Sequence, residues 1–127
     1  MGCSRTCRPV LPMHRGEVRL VDLDPVPGSE ADKRRPAVIV SNDRANATAA
    51  RFGRGVVTVV PLTSNVTRVF PFQVLLPAAD TGLRVDSKAQ AEQVRSVSVE
   101  RVGPAIGRLG VELTAALDDA LRLHLDL

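Results

Sequence analysis

The sequence predicts a mainly β fold, a small curled antiparallel barrel with a C-terminal α-helix. Short runs of β-branched residues recur along the chain and are bounded by Gly, Pro, Asn or Asp, a pattern typical of roughly five to seven short strands joined by turns. The C-terminal segment instead carries apolar residues at helical spacing. A chain of 127 residues is long enough to bury a single hydrophobic core, so we expect one domain.

The first predicted strands come from runs of apolar and β-branched residues at 18–23, 36–41, 56–64 and 70–77. Pro36 is tolerated because it takes the first position of its strand, whereas Pro61 ends the regular part of the third strand or forms a bulge. Turn-forming residues make 24–35 a predicted loop. The polar stretch 42–55 ends in glycines and predicts a connecting loop or a short helical turn.

Residues 80–110 are punctuated by glycines and predict about two or three further short strands. Val111 to Leu125 predict an amphipathic helix, because Leu113, Leu117 and Leu121 recur at helical spacing. A barrel this small has little concave surface of its own. A groove for a large ligand therefore forms more easily between two protomers.

The composition, 44% hydrophobic and 24% charged, is typical of a soluble globular protein. No apolar run has the length of a membrane span or signal peptide, so we expect a cytoplasmic protein. With three Phe and no Trp or Tyr, the core must consist of Val, Leu, Ile and Ala. Only one of the 17 Lys and Arg residues, but four of the 14 acids, lie in residues 112–127. The remaining body is basic, which favours a polyanionic partner.

We expect residues 1–13 to form a disordered N-terminal extension and residues 14–127 to form the folded domain. Cys3 and Cys7 lie in the extension. Together with His14 they supply too few ligands for a tetrahedral site, so no metal site is expected.

Polar side chains lie beside predicted strands in three segments: 30–35, 63–65 and 92–96. The chain has two histidines, neither near a Ser or Cys of the barrel, and no Gly-Lys-Ser phosphate loop. This pattern argues against acyl transfer and nucleotide hydrolysis. Arginine with hydroxyl groups remains, and it suits phosphoryl chemistry because a guanidinium binds phosphate oxygens in pairs and stabilises developing charge.

RNA supplies its own nucleophile, the 2′-hydroxyl. An enzyme that uses it needs only to hold ribose and phosphate in line and to stabilise the developing charge. Arg35 and Thr63 each stand at the end of a predicted strand and are placed to do so.

The stretches RGEVRLVDLDPVPGSEADKRRPAVIVSND, VVPLTSN, FPFQVLL and AEQVRSVSVERVG resemble, in order and spacing, the MazF/PemK toxins, which are ribonucleases of bacterial type II toxin–antitoxin modules. The resemblance spans about residues 14–125. Its most specific part is GSE at 28–30 followed by RP at 35–36 and P-x-T at 61–63.

The resemblance implies an SH3-like barrel that forms a homodimer and cleaves single-stranded RNA at short motifs, with no metal or cofactor. The products would carry a 2′,3′-cyclic phosphate and a 5′-hydroxyl, and cleavage would inhibit translation. It also implies a cognate antitoxin whose acidic, disordered tail fills the RNA groove. An alternative is a non-catalytic module on the same barrel that binds nucleic acid or poisons a topoisomerase.

Carried over by motif, Arg35 and Thr63 would be catalytic, Glu30 would act from the loop, and Gln93 would contact substrate. Two positions depart from the family pattern: Glu92 stands where Asp is usual, and Arg19 stands where the first strand usually carries an aromatic ring. Further RNA contacts are predicted at Lys33, Arg34, Ser64, Asn65 and Phe72.

The residues themselves leave alternatives open at several of these positions. Lys33 and Arg34 either steer phosphates or belong to an ordinary solvated loop. Ser64 and Asn65 either contact phosphate or close a turn. Phe70 and Phe72 flank Pro71, a spacing that predicts side chains pointing the same way. They either stack on a base or pack in the core, and we expect at least one of them to pack in the core.

Overall fold

The computed structural model describes residues 12–23 and 34–127. The predicted loop at 24–35, apart from its last two residues, and residues 1–11 lie outside the described residues. The strands are β1 (Glu17–Val21), β2 (Arg35–Ile39), β3 (Val56–Thr63), β4 (Gln73–Leu76), β5 (Ser87–Gln90), β6 (Arg95–Ser98) and β7 (Val102–Arg108). The helices are α1 (Asp43–Phe52), α2 (Ala78–Thr81) and α3 (Val111–Leu125), with 3₁₀ turns at Ala91–Gln93 and Val99–Arg101.

The seven strands form one antiparallel sheet in the order β4-β5-β3-β2-β1-β7, with β6 also paired to β3. Strand β3 pairs with β2 along one edge, while its other edge pairs first with β6 and then with β5. This exchange of partners curls the sheet into a barrel-like shape that stays open between β4 and β7. The predicted class, a mainly β antiparallel fold with a C-terminal helix, is confirmed. No helix in these two ranges is long and apolar enough to cross a membrane.

Buried side chains lie on both faces of the central strands. Ala37 and Ile39 join a cluster with α1, whereas Val38 between them joins the cluster beneath α3. Alternate residues of a strand point to opposite faces, so covering both faces explains the continuous apolar run of β2. The core consists of Val, Leu, Ile and Ala with Met13, as predicted apart from the Met. Met13 lies one residue before the predicted domain boundary and is buried.

Helix α1 occupies the stretch predicted as a loop or short turn. The Asn42 side chain accepts a hydrogen bond from the backbone N–H of Ala45 at 2.8 Å, and Gly53 ends the helix with φ of 65°. Ala49 and Ala50 are buried in the first core cluster. A capped ten-residue helix is thus stabilised by caps and by a small apolar face.

Pro61 does not end β3, because the strand continues to Thr63. Pro61 lies opposite Ala37 on β2. On the other edge, pairing with β6 stops at Val59 and pairing with β5 starts at Leu62. The proline therefore stands where that ladder is interrupted, and its missing N–H disrupts little of the sheet.

Arg19 is buried on β1, at 6% exposure. Its guanidinium donates to the Glu17 carboxylate at 2.9 Å and to the backbone oxygens of Pro12 at 2.9 Å and Gly103 at 3.1 Å. Arg19 therefore ties β1 to the irregular part of β7 and to the residues before β1. At this position, where the resemblance led us to expect an aromatic ring, the chain has a buried structural cation.

Candidate active site

Strands β2 and β3 bring Arg35 and Thr63 together at one end of the sheet. Ala37 pairs with Pro61, and the same register extended by two residues places Arg35 opposite Thr63. Opposed residues of an antiparallel pair project from the same face. Both residues line a cleft of about 480 Å³, together with Pro36, Pro61, Leu62, Ser64, Val85, Ser87 and Gln90.

The Thr63 hydroxyl is half-buried and has one described partner. The backbone N–H of Asn65 donates to Thr63 Oγ1 at 3.2 Å, and the Asn65 side chain accepts from the N–H of Thr67 at 3.2 Å. Because the Thr63 oxygen accepts here, its own proton is available to an anion in the cleft. Of the two interpretations for Asn65, its side chain takes the turn-closing one, whereas Ser64 is exposed and lines the cleft.

Arg35 is exposed at the start of β2. No carboxylate of residues 12–23 and 34–127 forms a salt bridge with it. Glu30, Asp32 and Lys33 lie outside the described residues. A guanidinium on a cleft wall offers a planar fork of donors to a phosphate group.

Strand β5 supplies a wall of the cleft that sequence reasoning missed. Ser87 and Gln90 line it beside Thr63, although they lie more than twenty residues further along the chain. The pairing of Thr63 with Lys88 sets this arrangement. No local sequence pattern predicts which residues of two distant strands pair. The one available signal was the polar Gln90 at the end of a short strand.

Arg34 does not share this cleft. It lines a separate one of about 340 Å³ with Asp22, Glu100, Arg101, Val102 and Gly103. Its Nη1 lies so close to Gly103 that a Cβ built there would be 2.6 Å away. Adjacent residues at the start of a strand project in opposite directions, so two neighbouring arginines serve different surfaces.

Phe70 and Phe72 stack on each other outside the core, with ring centroids 5.4 Å apart and planes 2° apart. They point the same way, as predicted. Phe70 is 39% exposed and Phe72 half-buried, and neither belongs to a core cluster. The expectation that at least one packs in the core is therefore wrong, because α3 and aliphatic residues fill that space. The His124 ring lies 6.5 Å from Phe72.

Gln93 is exposed on the 3₁₀ turn that follows β5 and is not among the residues lining the Arg35 cleft. The preceding Glu92 is half-buried and accepts a hydrogen bond from the Gln73 side chain at 2.8 Å. Among the residues that the structure describes, no group of three or more His, Cys, Asp or Glu is arranged to hold a metal ion.

A family model for the PemK-like, MazF-like toxins of type II toxin–antitoxin systems matches residues 14–125. The chain belongs to this family. It is 65% identical over 115 residues to the endoribonuclease MazF9 of Mycobacterium tuberculosis, covering 91% of this chain and 98% of that protein. It is 32% identical over 114 residues to the endoribonuclease EndoA of Bacillus subtilis, covering 89% and 94% of the two chains.

Solved structures of MazF-type toxins share the fold. An endoribonuclease from a mycobacterial species superposes with a TM-score of 0.72 at 22% identity, covering 94% of this chain and 97% of the other. A MazE–MazF structure from Deinococcus radiodurans gives a TM-score of 0.68 at 22% identity, covering 91% and 96%. The resemblance inferred from the motifs is thus confirmed. Both Arg35 and Thr63 lie inside the family match.

Proposed function

We propose that this MazF-type endoribonuclease toxin cleaves single-stranded RNA at short sequence motifs through the RNA's own 2′-hydroxyl, in the cytoplasm and without a metal ion. The observation that supports this most is the shared cleft of Arg35 and Thr63. A guanidinium fork and a hydroxyl on the walls of one cleft of about 480 Å³ support the binding of a phosphodiester there.

In the proposed reaction the 2′-oxygen bonds to phosphorus while the bond to the 5′-oxygen breaks. The products are a 2′,3′-cyclic phosphate and a 5′-hydroxyl. Arg35 binds two phosphate oxygens and stabilises their growing charge, and the Thr63 hydroxyl donates a hydrogen bond to the same group. No metal is required to generate a nucleophile, because the substrate carries its own.

The proton of the 2′-hydroxyl needs an acceptor other than Arg35, because a guanidinium keeps its protons in proteins. We assign this role to Glu30, which lies between β1 and β2 along the chain, or to water, and solvent water supplies the proton that the leaving 5′-oxygen takes up. Flanking nucleotides contact Ser64, Phe72, Gln93 and the amide nitrogen of Asn65, whose oxygen closes the turn, while Lys33 and Arg34 attract phosphates from outside the cleft.

The active species is a homodimer, and its RNA groove is blocked by the acidic C-terminal segment of a cognate antitoxin. Several toxins of this fold have been solved with their antitoxins, and a basic body suits an acidic segment. Cleavage of RNA by the free toxin inhibits translation.

The test is cleavage of a long single-stranded RNA in excess EDTA, beside an oligonucleotide with one 2′-deoxy sugar at a mapped cleavage site. We expect cutting at a few short motifs, cyclic phosphate on the new 3′ ends, and no cutting at the 2′-deoxy position. Cutting that needs Mg²⁺, or that proceeds at the 2′-deoxy position, would overturn the proposed chemistry. Binding without any cutting would favour the non-catalytic module.

A further inference from the structure

Gln73 stands at the base of the segment that carries the stacked phenylalanines. It is 8% exposed and is the first residue of β4. Its side-chain oxygen accepts a hydrogen bond from the backbone N–H of Phe70 at 3.1 Å, and its backbone N–H donates to the Phe70 carbonyl at 2.8 Å. Side chain and backbone of one buried residue thus fasten the turn that contains both rings.

The other end of the Gln73 amide is bonded to Glu92. Gln73 Nε2 donates to Glu92 Oε2 at 2.8 Å, while Glu92 Oε1 is buried with no partner among the described residues. The amide nitrogen of Gln73 thus faces the Glu92 carboxylate while its oxygen faces the N–H of Phe70, so that the two partners together fix the orientation of the amide.

This link joins two elements that the proposed function places against RNA. Glu92 lies on the same 3₁₀ turn as Gln93, and Gln73 holds the loop that runs from Thr63 to the aromatic pair. Lys88 on β5 is the strand partner of Thr63. Its ammonium donates a hydrogen bond to the backbone oxygen of Arg68, in the loop after Thr63, at 2.6 Å. The loop after Thr63 is thus held from beneath by buried polar side chains.

The aromatic pair itself has the features of a nucleotide subsite. Phe70 is 39% exposed, and the Arg68 guanidinium and the Lys88 ammonium lie 5.5 Å and 5.9 Å from its ring centroid. A base can stack on a ring while a nearby cation binds its phosphate, a combination typical of single-strand binding.

We propose that Gln73, oriented by Glu92, is a positioning residue that holds Phe70 and Phe72 as a stacking platform for one RNA base near the phosphate at Thr63. The inference rests on the proposed function. It assigns no chemical step to Gln73 or Glu92. It predicts that their loss weakens substrate binding and base preference while leaving the cleavage step intact.

The experiment combines enzyme variants with abasic substrates. Oligonucleotides that each lack one base near the scissile bond are compared with the intact oligonucleotide. The rise in the wild-type KM on loss of a base, here called the abasic penalty, identifies the position at which a base is bound. Gln73→Glu places a second carboxylate against Glu92 and removes the donor. We expect it to raise KM by about tenfold with kcat changed less than about twofold, and to abolish the abasic penalty at that position.

The double variant Gln73→Glu with Glu92→Gln reverses the polarity of the same bond, since the new amide at position 92 would donate to the new carboxylate at position 73. We expect it to recover most of the lost affinity and the abasic penalty. Glu92→Ala, which removes only the acceptor, is a second route should Gln73→Glu fail to fold. Thr81→Val, which removes a buried hydroxyl bonded to Pro77 at 2.9 Å, controls for general loss of stability.

A full abasic penalty in Gln73→Glu and in Glu92→Ala, or a swap variant no better than Gln73→Glu, would overturn the inference. The same follows if Thr81→Val raises KM equally. Absence of RNA cleavage by wild type would instead overturn the proposed function beneath it, so the two failures are distinguishable.

Discussion

The backbone N–H of Asn65 donates to the hydroxyl oxygen of Thr63 at 3.2 Å. This contact fixes the side chain of the last residue of β3 and leaves its proton to point elsewhere. Thr63 lines the same cleft as Arg35, and its hydroxyl can donate there while its oxygen accepts from Asn65.

Thr63→Val keeps the shape of the side chain but removes the proton. We expect kcat on RNA to fall by about 10²-fold, the usual cost of losing one donor to a developing oxyanion, with KM little changed. Thr63→Ser keeps the hydroxyl and should retain most activity. Single-turnover cleavage measures both. Full activity in Thr63→Val, with a loss in Thr63→Ser, would show that the methyl group, rather than the hydroxyl, matters.

Arg35→Lys keeps the positive charge but loses the planar fork. If Arg35 binds two phosphate oxygens at once, kcat/KM should fall by about 10²-fold in Arg35→Lys. Guanidinium ion added to Arg35→Ala should restore part of the rate. Arg44→Ala on α1, also an exposed arginine, is the matched control and should cleave like wild type. Wild-type activity in Arg35→Lys would show that Arg35 acts only through its positive charge and that its paired donors are not needed.

Arg34 and Arg35 are adjacent but face different clefts. Arg34→Ala should therefore raise KM and reduce the salt dependence of RNA binding by about one unit of slope, with kcat retained. Titration of a non-cleavable 2′-O-methyl oligonucleotide at several salt concentrations measures the slope. A loss of kcat as large as that of Arg35→Ala would place Arg34 in the chemistry.

Arg19 and Glu17 form an ion pair whose side chains are only 7% and 17% exposed. Arg19→Ala removes the cation from the Glu17 carboxylate and the side-chain donor from the Pro12 and Gly103 backbone oxygens, so we expect a loss of about 3 kcal/mol in the free energy of unfolding. Arg122→Ala breaks a surface pair with side chains 61% and 78% exposed and should cost less than about 0.5 kcal/mol. Urea unfolding compares them; similar losses would contradict the structural role of Arg19.

Local sequence patterns predicted the strands and α3 well, because β-branched runs and helical spacing act over a few residues. Helix α1 was underestimated even though Asn42 and Gly53 carry recognisable cap signals. Its short alanine face is buried in a cluster that it shares with β1, β2, β3 and β6, which is a tertiary effect that composition does not convey.

The site was predictable where it follows from residue type and motif, as for Arg35 and Thr63. It was not predictable where it depends on which residues of two strands pair or on which face of the sheet a side chain lies. Ser87 and Gln90 reach the cleft through strand pairing across a long loop, and Arg34 turns away from Arg35 through strand alternation. Arg19 was expected only to stand in place of an aromatic ring, whereas its guanidinium is buried and donates hydrogen bonds to Glu17 and to two backbone oxygens.

The proposal that Arg35 and Thr63 act together on one RNA phosphate is tested by cleavage of a long single-stranded RNA in EDTA. Wild type, Arg35→Ala and Thr63→Ala are compared, and the new 3′ ends are analysed. We expect motif-specific cutting by wild type, cyclic phosphate ends, and losses of about 10²-fold or more in each variant. Unchanged cutting by either variant would contradict the proposal, because the two residues would not then act on the same phosphate.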